Sequence, residues 1–497
     1  MSTYFYERLG AQDRSFLIFE GPNTHMHVGG VTIFETASLA TPDGGVDIAR
    51  IRDYIESRLH WIPRYRQRLS ATPLLGYPIW IDDDHFDIQY HVRHTSLPRP
   101  GDDEQLKFLA GRIMSQPLDR RRPLWEVWIV EGLRDNRFAL VLKTHHCVID
   151  GVSGVDLMSV LMRPQPEETH EPAPAWCPRP APTPFEALRE EAVRTRDTAR
   201  SWASWVPGML REPARLGEQI GDAASAAWEA LRTDLRMPDP TPINGEIGPY
   251  RRCDWLSVDL ESAKTIKNRF GGTVNDVIVA SVTGALRRYL SRRGVDLAEL
   301  ELRATVPVNV RRDNERGALG NRVSAWLVSL PVAEKNTVTR YARVRETTTH
   351  MKRTHHARGV EMLTEAAALI DPLLTLGVKL ASRLAPYNLI VTNVLGPGFP
   401  LYLLGSPIAG GYPIVPLFAN QGLAVGSFSY SGRLFWGCNA DWDLLPDLDR
   451  FVDDLGASFR DLLAATAPVE VRRLKQVRSR PPRRASGVRH EHVRAAV

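Results

Sequence analysis

The sequence predicts an α/β protein of two similar-sized units joined by a long crossover. Three observations carry this expectation. The chain has 497 residues, more than the roughly 250–300 that one core organises. Its 43% hydrophobic and 24% charged content is that of a globular protein with enough apolar side chains for sizeable cores. Strand-like and helix-like patterns mix in both halves, and between them lies a stretch that regular elements do not tolerate.

In the first half, residues 30–36, 79–81 and 88–92 are short β-prone runs, whereas 48–61 and 104–114 space their apolar residues helically. Residues 125–130 (WEVWIV) and 137–144 (RFALVLKT) are rich in β-branched and aromatic side chains and flank GLRDN, which predicts paired strands. Next come HHCVIDG and a helical pattern over 155–162. The histidines therefore fall where a strand ends and a helix approaches, a rigid place from which to present polar groups.

Residues 164–184 include PAPAWCPRPAPTP, which excludes helix interior and central strand and marks a linker. Residues 185–235, rich in Ala, Arg and Glu with Trp202, Trp205 and Trp228, read as helical until Pro238, Pro240, Pro242 and Gly245 intervene. In the second half, 275–292 is an amphipathic helix, 302–310 and 323–332 are strands, and 341–356 is a helix. A strand over 389–394, a hairpin of 422–430 and 433–440 around SG, and a closing helix near 448–463 follow. The predicted division is 1–163, a linker and helical crossover over 164–244, 245–468, and a tail over 469–497.

The net charge of +5 arises in that tail, because residues 471–497 alone carry nine Arg or Lys and one Glu. The remaining chain is slightly acidic, so no basic globular face is implied. The tail, with Pro481, Pro482, Ser479 and Ser486, reads as disordered, either solvated or touching anionic lipid. Cys147, Cys177, Cys253 and Cys438 lie far apart without metal-ligand spacing, so neither a disulfide scaffold nor a zinc site is expected. Residues 1–8 lack the pattern of a secretory signal, which predicts a cytoplasmic protein. The most apolar stretches, 369–385 and 399–417, are interrupted by Asp371, Pro372, Lys379 and several Gly and Pro. Neither offers about 18 clean apolar residues, so any membrane contact is expected at the surface.

The chemical signal is His145-His146-Cys147-Val148-Ile149-Asp150-Gly151. At these residue frequencies HHxxxDG arises by chance on the order of a few times per thousand such chains, so it is a strong motif. The pair His355-His356 is followed by no Asp or Gly at that spacing and reads as a solvated or capping helix feature. An alcohol is a poor nucleophile at neutral pH, and a neutral imidazole, with an ordinary pKa of about 6.5, accepts its proton during attack. A nearby carboxylate such as Asp150 holds a loop or a tautomer, and Gly151 permits a turn.

HHxxxDG is the signature of the chloramphenicol acetyltransferase-like superfamily, and the chain resembles its wax ester synthase/diacylglycerol acyltransferase branch along most of its length. The resemblance rests on ERLGAQDRSFLIFEGPNTHMHVGGVTIFE (7–35), PRYRQRL (63–69), Pro123-Leu124-Trp125 as the PLW motif, and Asn275-Asp276 as the ND motif. It continues through PVNVR (307–311) with Gly320-Asn321, TNVLGP (392–397) and SYSGRLFWGCNAD (429–441).

The resemblance implies two chloramphenicol acetyltransferase-like domains with the active site at their interface, where acyl-CoA and acceptor arrive from opposite sides. It implies that His146 is the base, that His145 supports it, and that Asp150 is mainly structural. Asn275 and Asp276 would line or buttress the channel, and Thr392 or Asn393 would donate to the developing oxyanion. The implied partners are long-chain acyl-CoA as co-substrate and diacylglycerol or a long-chain alcohol as acceptor, with peripheral contact to membrane or lipid inclusions. No metal, other cofactor or nucleic acid is implied.

Each supporting motif also has a purely structural reading. Pro123-Leu124-Trp125 starts a strand and plugs a core, Asn275-Asp276 caps a helix, and Gly396-Pro397-Gly398 makes a turn, lacking the spacing and Lys of a phosphate cradle. The competing functions are a condensation-type acyltransferase with a carrier-bound donor and a non-catalytic protein of lipid-inclusion surfaces.

Overall fold

Among the described residues, strand-forming runs from the two halves assemble into two six-stranded sheets and one three-stranded sheet. The computed structural model describes residues 4–73, 76–148, 160–211, 238–309, 323–354 and 387–467. Outside them lie Asp150, Gly151, most of the expected helix at 155–162, Trp228, Arg311, Gly320-Asn321, His355-His356, the apolar stretch 369–385 and the whole basic tail.

The first sheet has the order Tyr402–Leu403, Ser406–Ile414, His27–Glu35, Arg137–His145, Trp125–Leu133, Val92–Ser96. Arg137–His145 is central and covered on both faces, so its alternate side chains enter two cores. Phe138 and Leu140 join Phe34, Ile51, Tyr54 and Trp125 on one side. Ala139 and Val141 join Val31, Leu106 and Ile113 on the other. The helices Ile48–Arg58 and Asp103–Met114 supply those layers, and each is capped by the aspartate before it, Asp47 onto the Arg50 amide and Asp102 onto the Gln105 amide. The run at 88–92 departs from expectation. Asp87 caps a single helical turn, Ile88–His91, and the strand begins at Val92.

The second sheet has the order Val323–Leu330, Leu302–Asn309, Leu389–Leu395, Leu423–Tyr430, Arg433–Asp441, Arg251–Asp259. The helices Leu260–Phe270, Val274–Arg292, Thr337–Thr354 and Leu448–Ala464 accompany it. Val277–Ala280, Leu286 and Tyr289 from the second of these helices are buried with Leu302, Val425, Trp436 and Phe451 in the largest core.

Two devices join the lobes. One is an exchanged strand: Ser406–Ile414 lies between strands of the second sheet in sequence but pairs with His27–Glu35 of the first, setting Pro413 against Gly30 and Ile414 against Gly29. The strands pack so tightly that a Cβ on Gly30 would lie 2.7 Å from the Tyr412 carbonyl oxygen. The other is the contact of Asp103–Met114 with Arg251–Asp259, where a Cβ on Gly111 would lie 2.7 Å from the Arg251 carbonyl oxygen. There Lys107 pairs with Asp254 at 2.7 Å, and the Arg251 amide donates to Ser115 Oγ at 2.9 Å. The buried Arg251 guanidinium donates to the carbonyls of Gly248 and Asn23, tying the second lobe to the segment ahead of His27.

The crossover runs over the first lobe. Residues 164–183 are irregular, and Arg179 forks onto Asp82 at 2.8 and 2.9 Å. The helix Pro184–Arg211 is held by Tyr4, which donates to Glu190 at 2.6 Å, and by Arg8 on Glu191 at 3.2 Å.

Candidate active site

The strand Arg137–His145 ends at the first histidine of the motif, and the chain tightens into one 3-10 turn, His146–Val148. The residue just ahead of each neighbouring strand grips one histidine through the backbone. The His145 amide donates to the Leu124 carbonyl at 2.9 Å, and the His146 amide donates to the Met26 carbonyl at 2.7 Å. The two imidazoles thus project from backbone held on both sides.

His145 is buried. The Cys147 amide donates to its Nδ1 at 3.1 Å, and Cys147 Sγ lies 2.9 Å from the same nitrogen. A nitrogen that accepts an amide proton carries none, so the ring proton of neutral His145 sits on Nε2. That nitrogen faces Glu20 Oε1 at 3.6 Å.

The ring of His146 is partly accessible and stacks on Phe16 with centroids 3.7 Å apart. Burial pushes its pKa down to about 4, and the neighbouring His145 adds to that, while the ring's own backbone carbonyl opposes it. His146 is therefore neutral at physiological pH, the form a general base requires.

Two further histidines extend the cluster. His27 pairs with His145 across the sheet, their rings 6.1 Å apart edge to face, and His25 stacks on His27 at 5.3 Å. Burial holds His27 well below the ordinary histidine range, and Lys143, His145, His25 and Arg251 push the same way. Lys143 is fully buried and donates to the Ile113 and Gln116 carbonyls at 3.2 Å each, with Glu126 Oε2 also at 3.2 Å. Phe16, Glu20, His25, His27 and Arg120 were not predicted as site residues. The first four lie in the opening segment that carries the resemblance, but nothing in their spacing joins them to residues more than a hundred positions away.

The PLW residues form the wall behind the histidines. Trp125 stacks on His91 at 4.7 Å, its Nε1 donates to the Tyr65 carbonyl at 2.8 Å, and its carbonyl meets His91 Nδ1 at 2.8 Å. Leu124 is buried in the same core, and the Pro123 carbonyl accepts from the Trp125 amide at 2.9 Å. Packing thus accounts for the whole motif, and Leu124 adds the carbonyl that holds His145.

Asp276 closes a capping box. It accepts from the Thr273 amide at 2.7 Å and the Thr273 hydroxyl at 2.8 Å, and Thr348 Oγ1 donates to its other oxygen at 2.6 Å. Asn275 is half-buried in that first turn. Thr392 and Asn393 sit on Leu389–Leu395 opposite Gly426 and Ser427, whose hydroxyl donates to Asn393 Oδ1 at 3.0 Å. Among the described residues, no hydrogen bond or ring contact links these four side chains to His145 or His146.

Cys147 is buried, and its thiol is pushed well above the ordinary range by burial and by the charges of Asp13 and Glu20, which disfavours a thiolate nucleophile. Asp83, Asp84 and His85 bring ligand atoms within 4.8 Å of one another, with Asp84 and His85 exposed.

Comparison with known proteins gives this arrangement a context. A Mycobacterium tuberculosis protein named as a diacylglycerol O-acyltransferase is 33% identical, aligning 92% of this chain with 90% of its own. A Mycobacterium bovis protein of the same name is 30% identical over 93% of this chain and 96% of its own. The solved wax ester synthase/diacylglycerol acyltransferase from Marinobacter aquaeolei VT8 superposes with a TM-score of 0.66 at 26% identity, covering 92% of this chain and 99% of that one. The first condensation domain of the calcium-dependent antibiotic synthetase shares the fold, with a TM-score of 0.55 at 16% identity over 93% and 97% of the two chains. Residues 9–278, which contain both histidines and the PLW and ND motifs, match the wax ester synthase/diacylglycerol acyltransferase catalytic domain, and residues 319–463 match the C-terminal domain of the same proteins. The chain belongs to the wax ester synthase/diacylglycerol acyltransferase family.

Proposed function

We propose that the protein transfers a long-chain acyl group from acyl-CoA to the hydroxyl of diacylglycerol or a long-chain alcohol, with His146 as general base. The observation that carries this reading is a neutral histidine at the end of a doubly gripped strand in a chain of this family. His146 Nδ1 is buried without a hydrogen-bond partner, which leaves Nε2 to meet the acceptor. Nε2 takes the hydroxyl proton as the oxygen attacks the thioester carbonyl. The tetrahedral intermediate collapses by breaking the carbon–sulfur bond, and the imidazolium returns its proton to the departing thiolate. No covalent enzyme intermediate forms.

His145 supports the base, and Asp150 and Gly151, outside the described residues, keep the structural role that the resemblance implies. Asn393 accepts from Ser427 through Oδ1, so its amide N–H is the group available to a developing oxyanion, with the Thr392 hydroxyl as the other candidate donor. Asn275 and Asp276 buttress the channel wall rather than touch substrate. Contact with a lipid surface is peripheral: among the described residues no helix is long and apolar enough to cross a membrane.

Thiol release from palmitoyl-CoA, measured for wild type and His146→Ala with diacylglycerol, hexadecanol or no acceptor, tests the proposal. Acceptor-dependent turnover that falls roughly 10²–10⁴-fold in the folded variant is expected, and the preferred acceptor distinguishes triacylglycerol from wax ester synthesis. Turnover with neither acceptor overturns the substrate assignment and favours a carrier-bound donor. Full activity in the variant overturns the role of His146.

A further inference from the structure

We infer that Glu20 is a positioning residue for the histidine pair, acting through His145 and held in turn by Arg120. The inference rests on the reading of His146 as base, and it assigns a task to a carboxylate that no motif points to.

Glu20 caps the C-terminal end of the helix Ala11–Phe19, its amide donating to the Phe16 carbonyl at 3.1 Å. Its carboxylate is only 12% exposed. A carboxylate so enclosed is tolerated only with partners. One is Arg120, whose Nε donates at 2.9 Å and whose Nη2 reaches the same oxygen. The other is His145 Nε2, at 3.6 Å from Oε1. Burial alone would raise the pKa of Glu20, but the nearby His145 and Arg120 hold it below the ordinary value, so it is an anion.

The contact has a direction. Because the Cys147 amide occupies Nδ1 of His145, the proton on Nε2 points at the carboxylate. The Cys147 amide thus selects the tautomer, and Glu20 stands opposite the protonated nitrogen at 3.6 Å, beyond hydrogen-bond length but near enough for its charge to orient the ring. Among the described residues, Glu20 is the carboxylate that contacts either histidine. The charged groups bearing on His25 and His27 next door are mainly cationic, namely Lys143 and Arg251, with Glu20 acting on His25 in the opposite sense.

One helix carries both halves of the device. Phe16, stacked on His146, and Glu20, facing His145, are one turn apart and joined by the backbone hydrogen bond between them. When His146 takes up the acceptor proton, the positive charge forms beside a ring already oriented toward a buried anion. A neutral Glu20 would remove that anion.

The experiment is a double-variant cycle on the full chain, read as steady-state thiol release with saturating acceptor. Glu20→Gln keeps shape and hydrogen-bonding capacity but removes the charge. It is expected to lower kcat on the order of 10- to 100-fold while KM for acyl-CoA and acceptor stays within about twofold. Glu20→Asp, which restores the charge one carbon short, recovers part of that loss. In a His145→Gln background, Glu20→Gln is expected to cost less than about twofold more, since residues acting through one another do not add.

A folded Glu20→Gln variant with kcat within about twofold of wild type overturns the inference, and so does a double variant that loses the product of the two single effects. If Glu20→Gln does not fold, Arg120→Gln decides. Its guanidinium is half exposed, so the change is tolerated, and an unchanged kcat overturns the inference. His146→Ala, run in parallel, separates the two levels. Activity surviving it sinks the base assignment, whereas activity lost there but retained in Glu20→Gln sinks the role of Glu20 alone.

Discussion

Lowering the pH tests the environment of His146 most directly. Moving this ring from 6.5 to about 4 disfavours its charged form by about 3 kcal/mol. If His146 must be neutral to act, kcat/KM follows its unprotonated fraction in the free protein. With a pKa of about 4 the enzyme keeps about 97% of its plateau rate at pH 5.5, whereas an ordinary histidine base would leave about 9%. The two cases therefore differ by about tenfold at one pH. The assay is thiol release from acyl-CoA between pH 4.5 and 8, read with dithiodipyridine, which reports thiols in acid. The unfolded chain binds this proton more readily than the folded one. The ring's contribution to stability is thus whole above about pH 6.5 and is lost as pH falls toward 4. Circular dichroism at each pH keeps unfolding apart from titration. An acid limb centred near pH 6.5 in a folded protein would refute the argument that burial sets the basicity of His146.

Cys147→Ala is expected to retain activity within about fivefold, because the raised thiol pKa leaves no nucleophile to lose; complete loss with an intact fold would contradict this. Trp125→Ala removes a side chain 2% exposed and its bond to Tyr65, and urea unfolding is expected to show a loss of about 3–5 kcal/mol. A loss below about 1 kcal/mol would return Trp125 to the substrate channel as its main task. Asp276→Ala deletes a capping box and the bond from Thr348, so a loss of about 2–4 kcal/mol is expected, with kcat per folded molecule unchanged. A folded variant with normal stability and collapsed kcat would place Asp276 in the chemistry instead.

Local patterns were legible where local physics decides. The apolar alternation of 137–144 and the helical spacing of 104–114 and 275–292 lie within the observed strand and helices, give or take a residue, because burying one face or two is a property of consecutive side chains. The run at 88–92 misled because Asp87 outcompetes β propensity by capping a helical turn. Ser406–Ile414 showed no strand signal, since SPIAGGYPI has two Pro and two Gly. It is extended only because His27–Glu35 offers it a partner.

The motifs divide in the same way. By itself the sequence determined the family, the two-unit α/β organisation and the histidine pair that is the candidate reacting group, because that pair with its spacing and the periods of helix and strand are written in neighbouring residues. Tertiary structure alone decided that a strand from the second half completes the first sheet, that PLW is a core wall holding the His145 amide, and that Asp276 spends one oxygen on a helix cap and the other on Thr348. It also decided that Glu20 and Phe16, over a hundred residues upstream, bracket the two imidazoles. Those outcomes depend on which surfaces meet once the cores close, and the burial and charge that tune His146 exist only after they do.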